Sequence, residues 1–282
     1  MKLSKETFEI YVPDRVDTAA ALARTTHMAV SAHQDDIEIM AMDGVLQCFG
    51  KFDKWFTGVV ATNGAGSPRN GFYADYNDEQ MRIIRRKEQK KAAYVGEYSA
   101  AVFLDHSSAE MKDSSYPGAI DDLKALLQAA RPETVYVHNP ADKHPTHVCT
   151  AIRLIQAIRS LPEDERPNNL YGCEVWRDLD WMVDEDKVAF NLDKHENIAA
   201  SVLGVFDSQI IGGKRYDLAS MGRRRAHATY HQSHAVDTCG MLNFGMDLTP
   251  LIQDDTLDLL NYVREHIERF AAEVSGNISK FV

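Results

Sequence analysis

The sequence predicts an α/β fold in which a mainly parallel sheet carries helices on both faces, and three observations support that expectation. Short runs rich in apolar residues, among them His27–His33 (HMAVSAH), Trp55–Thr62 (WFTGVVAT) and Thr134–His138 (TVYVH), read as strands buried on both sides. Amphipathic stretches of helical length lie between them. Over the first 160 residues the order is β-α-β-α-β-α-β-α, an alternation that favours parallel strands joined by crossover helices. The expected class is a Rossmann-like, doubly wound sheet.

The elements follow in chain order. After an irregular start, His27–His33 is the first strand and Ile37–Phe49 a helical stretch. Trp55–Thr62 is the second strand, and Asn63–Tyr76 carries enough Gly, Asn and Pro to be a long loop of the kind that is often functional. Asp78–Tyr94 is a long charged helix, Ala101–Leu104 a short strand, Asp121–Ala130 a helix and Thr134–His138 a strand. His144–Ser160 has Val148, Ala151, Ile152, Ile155 and Ile158 on one side, as a helix packed on a sheet requires. The last third is less regular, with strands expected near Leu170–Trp176 and Val188–Leu192 and helices near Leu218–Gln232 and Asp254–Ala272.

Composition narrows the function. Of 282 residues 44% are hydrophobic and 26% charged, and 31 basic against 42 acidic side chains leave a net charge of −11. Such a surface repels phosphate backbones and anionic lipid, which argues against nucleic acid and membrane partners. Met1–Tyr11 holds no apolar core of a signal peptide, and no window approaches the ~18 apolar residues of a membrane span, so a cytoplasmic protein is expected. No repeat or Gly/Ser linker divides the chain, so residues 1–282 are expected to form one domain. Cys48, Cys149, Cys173 and Cys239 are scattered without a CxxC pair, so any metal would be held by imidazole and carboxylate.

Ligands of open α/β sheets sit beyond the carboxyl ends of strands. After the first strand stand His33, Asp35 and Asp36, where His33 and Asp36 can converge on one ion and Asp35 can face what occupies its open side. The bland alternative is a helix cap and an ordinary strand-end histidine. After the fourth predicted strand, His144 and His147 stack three apart at a helix start, with Pro145 between them, and the neutral imidazole favoured there is the metal-binding form. The two places together supply histidines and a carboxylate, as in catalytic zinc sites that keep one position open, and Asp35 is near enough to serve as a general base.

These residues resemble a known family. AHQDDIEIMAMDG looks like the AHPDDxEIGxGG signature of the LmbE-like, or PIG-L, N-deacetylases, and HPTH looks like their HPDH. VVATNGAGSPR, RRKEQKKAAYVG, RPETVYVHNPADKHPTH and YGCEVW are similar to further family segments in family order, and RRRAHATYHQS more weakly to a late one. The resemblance implies a zinc hydrolase, with Fe²⁺ or Mn²⁺ as other metals, that removes an acetyl group from an N-acetylated amino sugar. It implies His33, Asp36 and His147 as metal ligands, Asp35 as base, and His144 as the group that holds the oxyanion or protonates the leaving amine. Arg69 and His231 would lie on the sugar side.

Departures from the pattern are Gln34 for proline, Thr146 for the aspartate of HPDH, and Met40–Asp43 in a thinned glycine-rich stretch. Thr146 removes a carboxylate that could raise the basicity of the adjacent histidine, a part that Asp142 or another acid would have to take. An amidase on a larger acyl or thiol-conjugated sugar, and a non-catalytic sugar-binding relative, are the alternative functions. Dinucleotide binding is disfavoured, because AHQDD stands where GxGxxG would. The partner expected is a small N-acetylated sugar, and homo-oligomerisation stays open. His106 is expected to be solvated and Glu88 to sit in an ion-pair network. The run Arg223–Arg225 suggests a partner surface or a pocket for an anionic group, and His231 is the one of His227, His231 and His234 expected near the cleft.

Overall fold

The computed structural model describes residues 1–282. It is an α/β architecture on one eight-stranded sheet. The strands are β1 (Glu9–Tyr11), β2 (His27–Ser31), β3 (Phe56–Thr62), β4 (Ala100–His106), β5 (Thr134–His138), β6 (Asn169–Cys173), β7 (Lys187–Asn191) and β8 (Leu242–Asp247), in spatial order β1-β4-β3-β2-β5-β6-β8-β7. The five central strands β4-β3-β2-β5-β6 run parallel, while β1, β8 and β7 pair antiparallel.

Alternation along the strands divides the core between two faces. Met28 and Val30, Val59, Val102, and Val135 and Val137 point into one apolar cluster; Ala29, Val60, Phe103 and Tyr136 point into the other. The first face is covered by α1 (Thr18–Ala23), α6 (Gly118–Ala130) and α7 (Pro145–Arg159), the second by α2 (Asp36–Met40), α3 (Met42–Cys48), α4 (Asp78–Val95) and α8 (Glu196–Gly204). Both sides of the parallel strands are therefore dry, which is why they read as unbroken apolar runs.

The expected single helix Ile37–Phe49 is two helices that break at Ala41 (φ −111°, ψ 26°). Carbonyls that would continue the ladder are taken elsewhere: Arg224 donates to Glu38 O (2.7 Å) and Ile39 O (3.3 Å), and Asn243 Nδ2 donates to Ile39 O (3.1 Å). Gly44 lets α3 lie against the sheet, since a Cβ there would stand 2.6 Å from the Tyr136 ring and 2.9 Å from that of Phe56. The start is not irregular, because β1 extends the sheet and Asp17 caps α1 by accepting from Ala19 N and Ala20 N.

The remaining helices are α5 (Ser108–Lys112), α9 (Asp207–Ile210), α10 (Tyr216–Tyr230), α11 (Pro250–Gln253) and α12 (Leu259–Ser279). Of these, α10 and α12 replace the predicted Leu218–Gln232 and Asp254–Ala272 with shifted ends, and β8 adds a strand between β6 and β7 where none was expected. No helix is long and apolar enough to cross a membrane.

Candidate metal centre and active site

In the parallel part of the sheet the chain steps from β2 to β3 to β4 in one direction and then returns to place β5 on the other side of β2. The carboxyl ends of β2 and β5 thus flank the point where winding reverses, and a crevice opens there. His33, Asp35 and Asp36 follow β2; His144 and His147 follow β5.

Three side chains converge in it. His33 Nδ1 lies 3.2 Å from His147 Nε2 and 3.2 Å from Asp36 Oδ2, and His147 Nε2 lies 3.4 Å from Asp36 Oδ2. Ligands held tetrahedrally at ~2.0–2.1 Å stand ~3.3–3.4 Å apart, so the donor set fits a divalent cation such as Zn²⁺. Asp36 is aimed by the His33 backbone N–H, which donates to Oδ2 at 2.7 Å. Behind the set, Asp142 Oδ1 lies 3.5 Å from His147 Nδ1, as a carboxylate that orients a ligating imidazole should. Burial works against the charge on Asp36, yet His147, His138 and His33 around it hold its carboxyl well below the usual range. Burial lowers the affinity of His33 for a proton despite Asp36, so the ring is kept in its ligating form.

Asp35 sits in a left-handed backbone conformation (φ 88°), costly for a residue with a side chain and common at sites of function. It precedes α2 without capping it, so its carboxylate is free of the bland role. Two groups from α4 fix it instead. Gln89 Oε1 accepts from Asp35 N (3.2 Å), and Arg85 Nη2 donates to Asp35 Oδ1 (3.1 Å) and to Gln34 O. Burial, opposed by Arg85 and reinforced by Asp36, Glu38 and Glu88, pushes the Asp35 carboxyl well above its ordinary value, the direction a general base requires.

His144 is the N-cap of α7, and its Nδ1 accepts from Thr146 N at 3.3 Å. That bond puts the ring proton on Nε2. Burial, with His147 and His33 adding, lowers its pKa to about 4, so it is a neutral donor at physiological pH. Asp142 does not replace the missing carboxylate beside this ring, since it accepts from the His144 backbone N (2.8 Å) and the Trp176 backbone N (2.9 Å) and otherwise faces His147.

A cavity of about 420 Å³ joins these groups, lined by His33, Asp35, Asp36, His144, the Asn63–Pro68 loop, and Lys112, Trp176 and Lys214 among others. Neither Arg69 nor His231 is among the lining residues. Arg69 donates to Ala65 O (2.7 Å) and pairs with Asp78, while His231 ends α10 against Phe244. The site residues missed in the sequence are Arg85, Gln89 and His138; His138 accepts from Ala32 N at 2.8 Å and stacks on His147 at 3.8 Å. Their signal was position: His138 ends a strand, and Arg85 and Gln89 are four apart on one helix face.

Other expectations change. His106 is fully buried, between Asp122 (3.1 Å) and the Tyr116 hydroxyl (3.1 Å), because β4 is covered at its end by α5 and α6. Glu88 accepts from Ser208 N (2.8 Å) and Oγ (2.6 Å), tying α4 to α9, and makes no ion pair. Arg224 is buried against the carbonyls of α2 and is no part of a partner surface. His227 is held by Glu174 at 3.0 Å.

Residues 28–158, a little under half of the chain, match the family model PIG-L: GlcNAc-PI de-N-acetylase. No curated protein matches the chain. Among solved structures, N,N'-diacetylchitobiose deacetylase from Pyrococcus horikoshii is similar at 14% identity and a TM-score of 0.61, over 83% of this chain and 88% of that one. GalB, the 4-carboxy-2-hydroxymuconate hydratase from Pseudomonas putida KT2440, is similar at 15% identity and 0.59, over 79% and 96%. The A40926 pseudoaglycone deacetylase Dbv21 is similar at 15% and 0.55, over 79% and 97%. At these identities the likeness is one of fold, and the fold serves a hydratase as well as deacetylases. The two signatures meet in one crevice, and the match to the PIG-L (LmbE-like) family model across residues 28–158 takes in both of them.

Proposed function

We propose that the protein is a metal-dependent N-deacetylase, a hydrolase that removes the acetyl group from an N-acetylated amino sugar. The observation that carries this reading is the convergence of His33, Asp36 and His147 beside a cavity lined by His33, Asp35, Asp36 and His144. The strand order, with winding that reverses beside β2, supports the doubly wound, Rossmann-like description of the scaffold. Zn²⁺ is the favoured metal for a His₂Asp set with an open position.

A divalent cation in that set supplies Lewis acidity, polarising the amide carbonyl and making water a nucleophile near neutral pH. The chain supplies the rest. Asp35 accepts a proton from the attacking water as the new C–O bond forms, its carboxylate aimed by Arg85 and Gln89. His144 donates from Nε2 to the carbonyl oxygen as that atom gains charge. Because His144 has no spare proton at neutral pH, Asp35 returns its own to the nitrogen as the C–N bond breaks, giving a free amine and acetic acid, which then releases its proton to the amine or to water. Asn63–Pro68 and Trp176 wall the sugar side.

Metal analysis of the purified protein, with amine release measured over a panel of N-acetylated sugars, tests the reading. Metal binding with turnover of one or more supports it. A metal-loaded protein that releases no amine from any of them refutes it.

A further inference from the structure

The loop that walls the cavity is tied to the body of the protein at few points. Asn63, at its start, donates from its backbone N to His106 O at 2.9 Å. From Gly64 to Pro68 the hydrogen bonds are internal or come from nearby Arg69, with one exception: Arg85 Nη1 donates to Ser67 Oγ. Arg85 also donates to Gln34 O and Asp35 Oδ1, so one guanidinium grips the loop and the base together. A stretch held so lightly opens easily unless something packs it in place.

Gln34 supplies that packing. This residue stands where the family signature has proline, and its side chain is buried. Its Nε2 donates to Thr62 O at 3.1 Å, at the last residue of β3 and directly before the loop. That bond fixes which way the amide faces, and Oε1 is laid against Gly64, where a Cβ would overlap it. Gly64 takes a left-handed conformation (φ 71°), a turn that glycine allows and that brings the loop backbone onto the amide. Oε1 receives no hydrogen bond. An apolar side chain would fill the same space better, because a buried acceptor without a donor is unfavourable. What the amide adds is the tie to Thr62.

We propose that Gln34 is a positioning residue of the active site: through Thr62 O and Gly64 its amide presets the Asn63–Pro68 wall against the turn that carries Asp35, so that substrate meets a cavity already formed. Arg85 aims the base, and Gln34 sets the loop. Without the amide the wall is open for part of the time, and apparent affinity falls with the fraction of molecules in the closed form. Once substrate is bound, Arg85 and Gln89 still hold the base, so the chemical step is spared. The inference concerns the loop, and only its kinetic consequence rests on the deacetylase reading.

The test replaces Gln34 by Met in the full chain, which keeps the length and loses the donor. Hydrogen–deuterium exchange, which needs no turnover, reads the bonded amides of the wall, those of Asn63, Ala65 and Ser67. They are expected to exchange roughly three- to ten-fold faster, the worth of one buried hydrogen bond, while β2, β5 and α4 keep their protection and the metal content is unchanged. On whichever N-acetylated sugar the parent turns over, KM should rise by the same factor with kcat little changed. Gln34→Pro, which restores the signature residue and offers no amide, should behave alike and decides the matter if the Met variant does not fold; failure of both to fold overturns the proposal, since Gln34 would then support the fold as a whole. Unchanged exchange in the wall overturns it too, as does a loss of protection that spreads into β2 and β5, or a fall in kcat as large as the rise in KM. Looser wall amides in a protein whose parent releases no amine from any sugar uphold Gln34 and sink the deacetylase reading, whereas amine release with an unmoved wall and KM does the reverse.

Discussion

Asp142 and His147 face one another at 3.5 Å, carboxylate oxygen to Nδ1, on the side of the imidazole turned away from His33 and Asp36. Asp142 thus serves the proposed ligand His147, and the ring of His144 is left without a carboxylate. Replacing Asp142 by Asn keeps the size and one acceptor but loses the charge. A drop of about 10- to 100-fold in metal affinity is expected, the usual worth of such a partner. Competition with a chromogenic chelator measures it, and unchanged affinity would remove Asp142 from this role.

Asp35 and Asp36 are neighbours with opposite environments, one raised and one lowered in pKa. Asp35→Asn should retain the metal and lose roughly 10² to 10⁴ in rate, the usual worth of a positioned base. Asp36→Asn should lose metal first. Metal per chain and single-turnover rate in both variants decide the matter, and the reverse pattern would exchange the two roles.

His144→Ala should lower kcat by roughly 10² to 10³ without loss of metal, as removal of one oxyanion donor does. Thr146→Asp sets a carboxylate beside a ring whose pKa is about 4, and the added charge raises that value. The acid limb of the rate profile should then move to higher pH. An unmoved limb would show that position 146 does not act on His144.

His27, at the start of β2, is depressed to about 4 by burial, with Lys54 adding. Its folded value lies below its unfolded value of 6.5, so the unfolded chain takes up the proton first. Stability from this residue is full above pH 6.5, declines as pH falls, and levels off near pH 4, a loss of up to about 3 kcal/mol. In urea melts the gap between His27→Gln and the parent should change in the variant's favour over that window. A gap that is constant with pH would contradict the assignment.

Much of the parallel core was legible because β2, β3 and β5 are apolar on both faces, and the clustering of His33, Asp36 and His147 because they fall at strand exits. The antiparallel edge was not legible. In β8, Asn243 and Gly245 break the apolar pattern, yet Gly245 is needed where a Cβ would come within 2.7 Å of the Phe190 ring. The break at Ala41 depends on Arg224 and Asn243, about 200 residues away, which no local window contains. Arg85 looked like one charge among many on α4, since nothing local shows that it is turned inward onto Asp35.

The carbonyls of Glu38 and Ile39 have a consequence for how much chain the catalytic turn requires. Their donors, Arg224 and Asn243, come from outside the stretch 28–158 that matches the family model. Cut down to that stretch, the protein would leave buried carbonyls with no donor beside Asp35 and Asp36, at about 1–3 kcal/mol for each unsatisfied group, and would also lack β6, β8 and β7. The matched stretch is therefore not a portable module: α10 and β8 hold the turn that carries Asp35 and Asp36 from outside it, and α10 also lends Tyr216 to the cavity wall.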